Sequence, residues 1–102
     1  MPLYSTLAED PDLGAIVALF VEEMPERVDN LIRSLNGGDR EQLRRAAHQL
    51  KGAAGSYGFL PITSGAARLE DAIRQSRPGE DVRRACDELV ELCRQARADT
   101  PP

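Results

Sequence analysis

The chain has one histidine, one lysine, two cysteines and no tryptophan in 102 residues. Its other aromatics are two Phe and two Tyr. Each scarcity excludes something. Net charge is −4, so bulk binding of nucleic acid is not indicated. No apolar run approaches the length of a membrane span. The opening MPLYSTLAED has neither a basic stretch nor an apolar core, which does not fit an export signal. Cys86 and Cys93 are seven apart in a helical pattern, about 10 Å along the axis at ~1.5 Å per residue. That is beyond disulfide reach within one helix. Buried structural thiols fit better and suit a reducing cytoplasm. With the lone histidine elsewhere in the chain, a Cys/His zinc site has little support.

What is abundant is Ala, Leu, Glu and Arg, which favours helices. The length fits one domain, here taken as residues 1–102 with a core over about 10–97. Four amphipathic patterns follow one another without a strand pattern between them. The first runs from Asp12 to about Leu35, with Asp10 as a cap and Pro11 in its first turn. Its stripe includes Leu13, Ile16, Val17, Phe20, Met24, Val28, Leu31, Ile32 and Leu35. The stripe stays in phase across Pro25, which predicts one long kinked helix rather than two. The second runs from the cap Asp39 to about Tyr57 and is stopped by Gly58. Its stripe, Leu43, Ala46, Ala47, Leu50, Ala53, Ala54 and Tyr57, is narrow and alanine-rich, so neighbours can approach closely. The third starts near Leu60 with Pro61 in its first turn and ends before Arg77. The fourth spans roughly Glu80 to Arg97, and the tail ADTPP is expected to fray. Short connections predict an all-α, antiparallel up-down-up-down four-helix bundle. Residues 1–10 are expected to form a short segment over one end.

The second helix carries the unusual stretch HQLKGAAGSYG, residues 48–58. On a wheel at ~100° per residue, the apolar stripe centres near ~340° from Leu43, and His48 falls near ~140°. His48 therefore points to solvent. Arg44, Arg45, Lys51 and Gly52 lie one turn away on either side, and Gly55 is on the same face. Residues 40–58 hold Arg40, Arg44, Arg45 and Lys51 against Glu41 alone, a local field that suits an anion. Gly52 and Gly55 each cost about 0.5–1 kcal/mol relative to Ala within a helix. Beside an exposed imidazole they lower the surface and let a partner come close.

An exposed neutral imidazole is a nucleophile near pH 7. With Lys and Arg but no Ser, Cys or second base in the pattern, it suits accepting a charged group such as a phosphoryl rather than hydrolysis. Lys51 is placed to neutralise that group. Glu70, at the edge of the third helix's stripe, could fix the imidazole tautomer through Nδ1, or could pair instead with Arg74 four residues on. The bland readings stand beside these. Arg44, Arg45 and Lys51 could be solvated charges, and the two glycines could serve helix packing. KGAAGSYG is not a nucleotide-binding loop, because the pattern G-x-x-x-x-G-K-[ST] is absent. The acidic pairs Glu22-Glu23 and Asp87-Glu88 read as solvated faces, with no metal assigned.

HQLKGAAGSYGF resembles the signature of the histidine phosphotransfer domains of two-component phosphorelays. The matching positions are His48, Leu50, Lys51, Gly52, Ala53, Ala54, Gly58 and the pair Leu69-Glu70. FVEEMPERVDNL and LNGGDREQLRRAAHQLKG are similar to the family as well, so the resemblance covers about residues 10–95. It implies that His48 accepts a phosphoryl group on Nε2 from a phospho-aspartyl receiver domain and passes it to another receiver. It implies that Lys51 stabilises the phosphoryl group, that Gly52 makes room for the receiver, and that Glu70 hydrogen-bonds the imidazole. Arg44, Arg45, Gly52 and Gly55 would then form the docking face. The chain would hold no cofactor, the Mg²⁺ coming with the receiver, and would have no kinase or phosphatase activity of its own. Partners would be receivers or a hybrid histidine kinase, and the chain a cytoplasmic monomer. Two alternatives remain: a helical adaptor that docks a receiver without transfer, and the phosphoacceptor domain of a chemotaxis-type histidine kinase. Where some members carry a polar residue on the third helix near the histidine, this chain has Ala66 and Ala67.

Overall fold

The computed structural model describes residues 1–100; Pro101 and Pro102, the end of the tail expected to fray, lie outside the described residues. Four helices carry the fold: α1 (Gly14–Asn36), α2 (Arg40–Ser56), α3 (Leu60–Arg74) and α4 (Gly79–Arg94). They form an all-α bundle of 43 × 20 × 19 Å. Each helix buries one face, as the sequence stripes require. Val17, Phe20, Met24, Val28 and Leu31 of α1 meet Leu43, Ala47, Leu50 and Ala54 of α2, Ile62, Ala66 and Leu69 of α3, and Val82, Cys86, Leu89 and Cys93 of α4 in one cluster. Pro25 lies inside α1 without ending it. Burial of the in-phase stripe offsets the single backbone hydrogen bond that proline removes.

The local signals at the helix ends act largely as expected. The Asp39 carboxylate accepts from the Gln42 N–H at 3.0 Å and caps α2. Pro61 sits in the first turn of α3. Asp10 accepts from the Asp12 and Leu13 N–H groups at 2.8 and 3.1 Å, but this closes an entry turn, and α1 proper begins two residues later than Asp12.

Two expectations fail. Leu13 and Ile16 belong to the predicted core stripe, yet they are 36% and 40% exposed. The Phe20 ring already meets Tyr57 and Phe59 at the α2–α3 turn, with centroids 5.1 and 5.6 Å apart. Val17, one turn ahead of Phe20, is still buried, whereas Ile16 beside it and Leu13 a turn earlier lie at the rim, where the period of the stripe outlasts the neighbours that would cover it. The second failure is at the C-terminus. The fourth helix ends at Arg94, and Ala96–Arg97 form a short strand, β2, paired in parallel with β1 (Leu3–Tyr4). The Leu3 N–H donates to the Gln95 carbonyl at 2.7 Å. Two-residue strands are too short to show an alternation pattern, so nothing in the sequence marked them.

The N-terminal segment does pack over one end. After β1, the Thr6 N–H donates to the Gly58 carbonyl at 3.1 Å, and the Ser5 hydroxyl donates to the Tyr57 carbonyl. Gly58 has φ +81°, and a Cβ there would lie 2.6 Å from the Thr6 hydroxyl and 2.9 Å from its backbone nitrogen. Only glycine meets both demands, which is why α2 stops where it does.

Candidate functional site

α2 and α3 make the most extensive helix–helix contact in the bundle, and the site lies on their seam. The alanines of α2, with Ala47 and Ala54 fully buried, bring α3 close. Gly55 faces Thr63, 3.5 Å from where a Cβ would stand, and the middle of α2 lies against Glu70. The close approach changes the status of Glu70. Its wheel position at the stripe edge predicts a border residue, yet it is 1% exposed.

His48 is on the outer face, with 58% of its side chain exposed. Its Nδ1 is 2.8 Å from Glu70 Oε2. Lys51 Nζ donates to Glu70 Oε1 at 2.5 Å. Arg74 Nη2 lies 3.2 Å from Oε2 and Arg44 Nη1 3.9 Å from the same oxygen. Burial alone would push this carboxyl up. The hydrogen bond from Lys51 outweighs that, helped by the bond to His48 and the charges of Arg74 and Lys51, and the Glu70 carboxyl is held below the usual carboxylate range. An ionised carboxylate only accepts. Nδ1 of a neutral imidazole must then carry the proton, which leaves the Nε2 lone pair free on the solvent side.

The sequence left Glu70 between His48 and Arg74, and the structure brings it to both. Arg74, three turns along α3 from Thr63, is part of the constellation, and its i,i+4 spacing from Glu70 is the signal for it. Thr63 is a residue that sequence reasoning missed: its hydroxyl lies 3.4 Å from the carbonyls of Lys51 and Phe59. Its spacing of seven from Glu70, two turns on one face, is the sign that was available.

The predicted basic face is less free than counting charges implied. Arg44 donates to Glu41 at 2.7 and 3.1 Å, and Arg45 to the same carboxylate at 3.3 Å. These bonds, Arg44's first, hold the exposed Glu41 carboxyl down at about 2 and raise Arg44. Gly52 is exposed with nothing within 4 Å of a Cβ position. Gly55, although exposed, has its Cβ direction toward α3 rather than outward.

Cys86 and Cys93 are both buried free thiols. Among the described residues, no three His, Cys, Asp or Glu side chains converge as metal ligands, and no helix is long and apolar enough to cross a membrane.

A helical bundle that presents one imidazole to solvent, oriented from a second helix by a buried carboxylate, defines a carrier class: the bundle aims a nucleophilic nitrogen outward. The Hpt domain family profile matches residues 15–99, and the chain belongs to that family. Its general role is accordingly histidine phosphotransfer in two-component signalling. It is also 33% identical to the chemotaxis protein CheA of Rhizobium meliloti (strain 1021), over 84% of this chain and 14% of that protein. The chain thus spans about one seventh of the length of that relative. No solved structure matches the chain.

Proposed function

We propose that His48 is the phosphoacceptor and that the chain works as a phosphorelay intermediate. The observation that carries this is the imidazole itself, 58% exposed and tied through Nδ1 to a carboxylate that is 1% exposed. In transfer, the Nε2 lone pair attacks phosphorus. The Nε2–P bond forms, the bond from phosphorus to the donor oxygen breaks, and its electron pair leaves with the donor. Positive charge grows on the ring during attack, and Glu70, which accepts from Nδ1–H, stabilises it. Lys51, one turn from His48 and held by Glu70 at rest, is the cation that meets the arriving phosphoryl oxygens in this reading. Gly52 leaves the approach clear, and Arg44, Arg45 and Gly55 border it. Magnesium belongs to the partner in this reading, since Glu70, the carboxylate beside His48, is already engaged by nitrogen donors. The chain acts as substrate and carrier in the cytoplasm and has no kinase or phosphatase activity of its own.

The donor in this reading is a phospho-aspartyl receiver, with a second receiver as acceptor. The match to a chemotaxis protein favours a second donor, an ATP-binding kinase domain that phosphorylates His48 directly. One experiment separates the two. The chain is incubated with radiolabelled phospho-receiver, or with a chemotaxis-type kinase core and labelled ATP. Label should appear on the wild type with one of them, be acid-labile as a phosphoramidate is, and be absent from His48→Gln. Label retained in that variant sinks the assignment of His48. Stable binding of a receiver without label from either donor would establish an adaptor instead.

A further inference from the structure

Two cations of α2 flank His48, and they are engaged differently. Lys51, three residues on, sits 2.5 Å from Glu70 Oε1. Arg44, four residues back, is held along one edge of its guanidinium. Its Nε and Nη2 donate to the two oxygens of Glu41 at 3.1 and 2.7 Å. Nη1 makes no hydrogen bond among the described residues and lies 3.9 Å from Glu70 Oε2, beyond hydrogen-bond distance. That oxygen is the one the imidazole uses, with Nδ1 at 2.8 Å. Helical side chains lean back toward the N-terminus, so the ring of His48 extends over the turn that carries Arg44. The free nitrogen of the guanidinium and the imidazole thus meet beside one atom. Arg45 donates to Glu41 as well, at 3.3 Å, so the carboxylate that grips Arg44 is itself anchored.

Phosphorylation changes which anion Nη1 faces. With Nε2–P formed and Nδ1–H retained, the ring is a cation against Glu70 Oε2, and it compensates that carboxylate. Arg44 and the ring are then like charges beside the same oxygen. The phosphoryl group brings about two negative charges on the outer side of the ring. A small turn of the guanidinium, with its other edge still on Glu41, takes Nη1 from the first anion to the second.

We propose that Arg44 is a second phosphoryl-binding residue, held by Glu41 so that Nη1 donates to the phosphoryl group on Nε2 of His48. This rests on the phosphoacceptor reading of His48. The bonds exchanged are those of the transfer alone. Nε2–P forms, the bond from phosphorus to the donor breaks, and its electron pair leaves with the donor. Nδ1 keeps its proton, and Arg44 adds a hydrogen bond without giving one up. Glu41 is the positioning residue: a fork gripped at two nitrogens presents the third in a fixed direction.

The test uses phosphoramidate as donor, so that no protein docks, and reads label uptake together with the ³¹P NMR signal of phospho-His48. Arg44→Gln should slow uptake by about tenfold, the loss of one charge-assisted hydrogen bond in the transfer step, and should move the ³¹P signal. Arg44→Lys keeps the charge without the fork and should recover only part of the rate. Glu41→Gln separates grip from charge. Removing a negative charge near the phosphoryl group would by itself speed uptake, whereas loosening Arg44 slows it. Glu41→Gln should slow uptake by about threefold, within the coupling range of contacting residues, and should not slow it once Arg44→Gln is present. If Arg44→Gln does not fold, Arg44→Lys serves as that background. The proposal is overturned if the ³¹P signal is unmoved in Arg44→Gln, if Arg44→Lys is as fast as the wild type, or if Glu41→Gln acts equally in both backgrounds. A wild type that takes no label on His48 from phosphoramidate defeats the phosphoacceptor reading itself, a distinct result.

Discussion

The α2–α3 seam and the α1–α4 seam bury acids to the same depth with opposite results. Glu70 is 1% exposed and Cys93 is 2% exposed. Cys93 shares its surroundings with Val21, Met24, Val28 and Ala96. Burial pushes its thiol up to about 12, and Cys86 likewise to about 11. Both stay neutral, and the seam behaves as hydrophobic packing. Glu70 is desolvated too, yet Lys51, His48 and Arg74 surround it and hold it ionised. Depth does not decide the charge state of a buried acid. The donors within hydrogen-bond reach decide it. One seam therefore supplies cohesion, and the other holds a charge that orients a reactive ring.

The largest effect should come from the cohesive side. Leu89 of α4 is fully buried, and Leu89→Ala should cost about 2–5 kcal/mol in urea unfolding. The folded fraction should still take up label on His48 at the wild-type rate. Slower uptake per folded molecule would mean that the two sides are not separable.

A smaller effect should appear on the site side, where pH distinguishes the seams. The folded-state pKa of Glu70 is lowered. Its contribution is therefore complete above the unfolded carboxyl value and is lost as pH falls through that value and below it. The two thiols are raised, so their contribution is complete below their ordinary value of 9.0 and fades as pH climbs toward about 11 and about 12. A stability profile should thus decline at both ends for different reasons. Glu70→Gln should cost about 1–2 kcal/mol at neutral pH and flatten the acid limb alone. Replacing both cysteines by alanine should flatten the alkaline limb alone. An acid limb unchanged by Glu70→Gln would mean that other carboxylates carry it.

Much of this arrangement was readable from residue order. The four stripes gave four helices, the wheel put His48 outside, and caps and glycines marked most ends. What escaped depended on distances between elements. Glu70 looks like a border residue on its own helix, and it becomes buried because the alanines let α2 close over it. Arg74 meets the same carboxylate along its own helix, at the four-residue spacing that residue order did offer. Leu13 and Ile16 keep the period of a core stripe but lie past the neighbours that would cover them. The β1–β2 pair joins the two ends of the chain in two residues each, and no local pattern can announce such a pairing.

The smallest effect, and the only gain, should come from Gly52. It lies in the middle of α2 with no atom within 4 Å of a Cβ position, on the exposed face one turn from His48. Elsewhere in the same stretch, at Gly58, a Cβ would collide with the N-terminal segment. At Gly52 a methyl meets only water in the isolated chain, so Gly52→Ala should stabilise the helix by about 0.5–1 kcal/mol, read as a higher unfolding midpoint. If the glycine keeps the surface low for a partner, the same methyl should slow phosphoryl uptake from a protein donor, while uptake from a small donor such as phosphoramidate stays at the wild-type rate. A variant that is both more stable and equally fast with the protein donor would show that the approach to His48 has room to spare. The glycine would then have no explanation in docking.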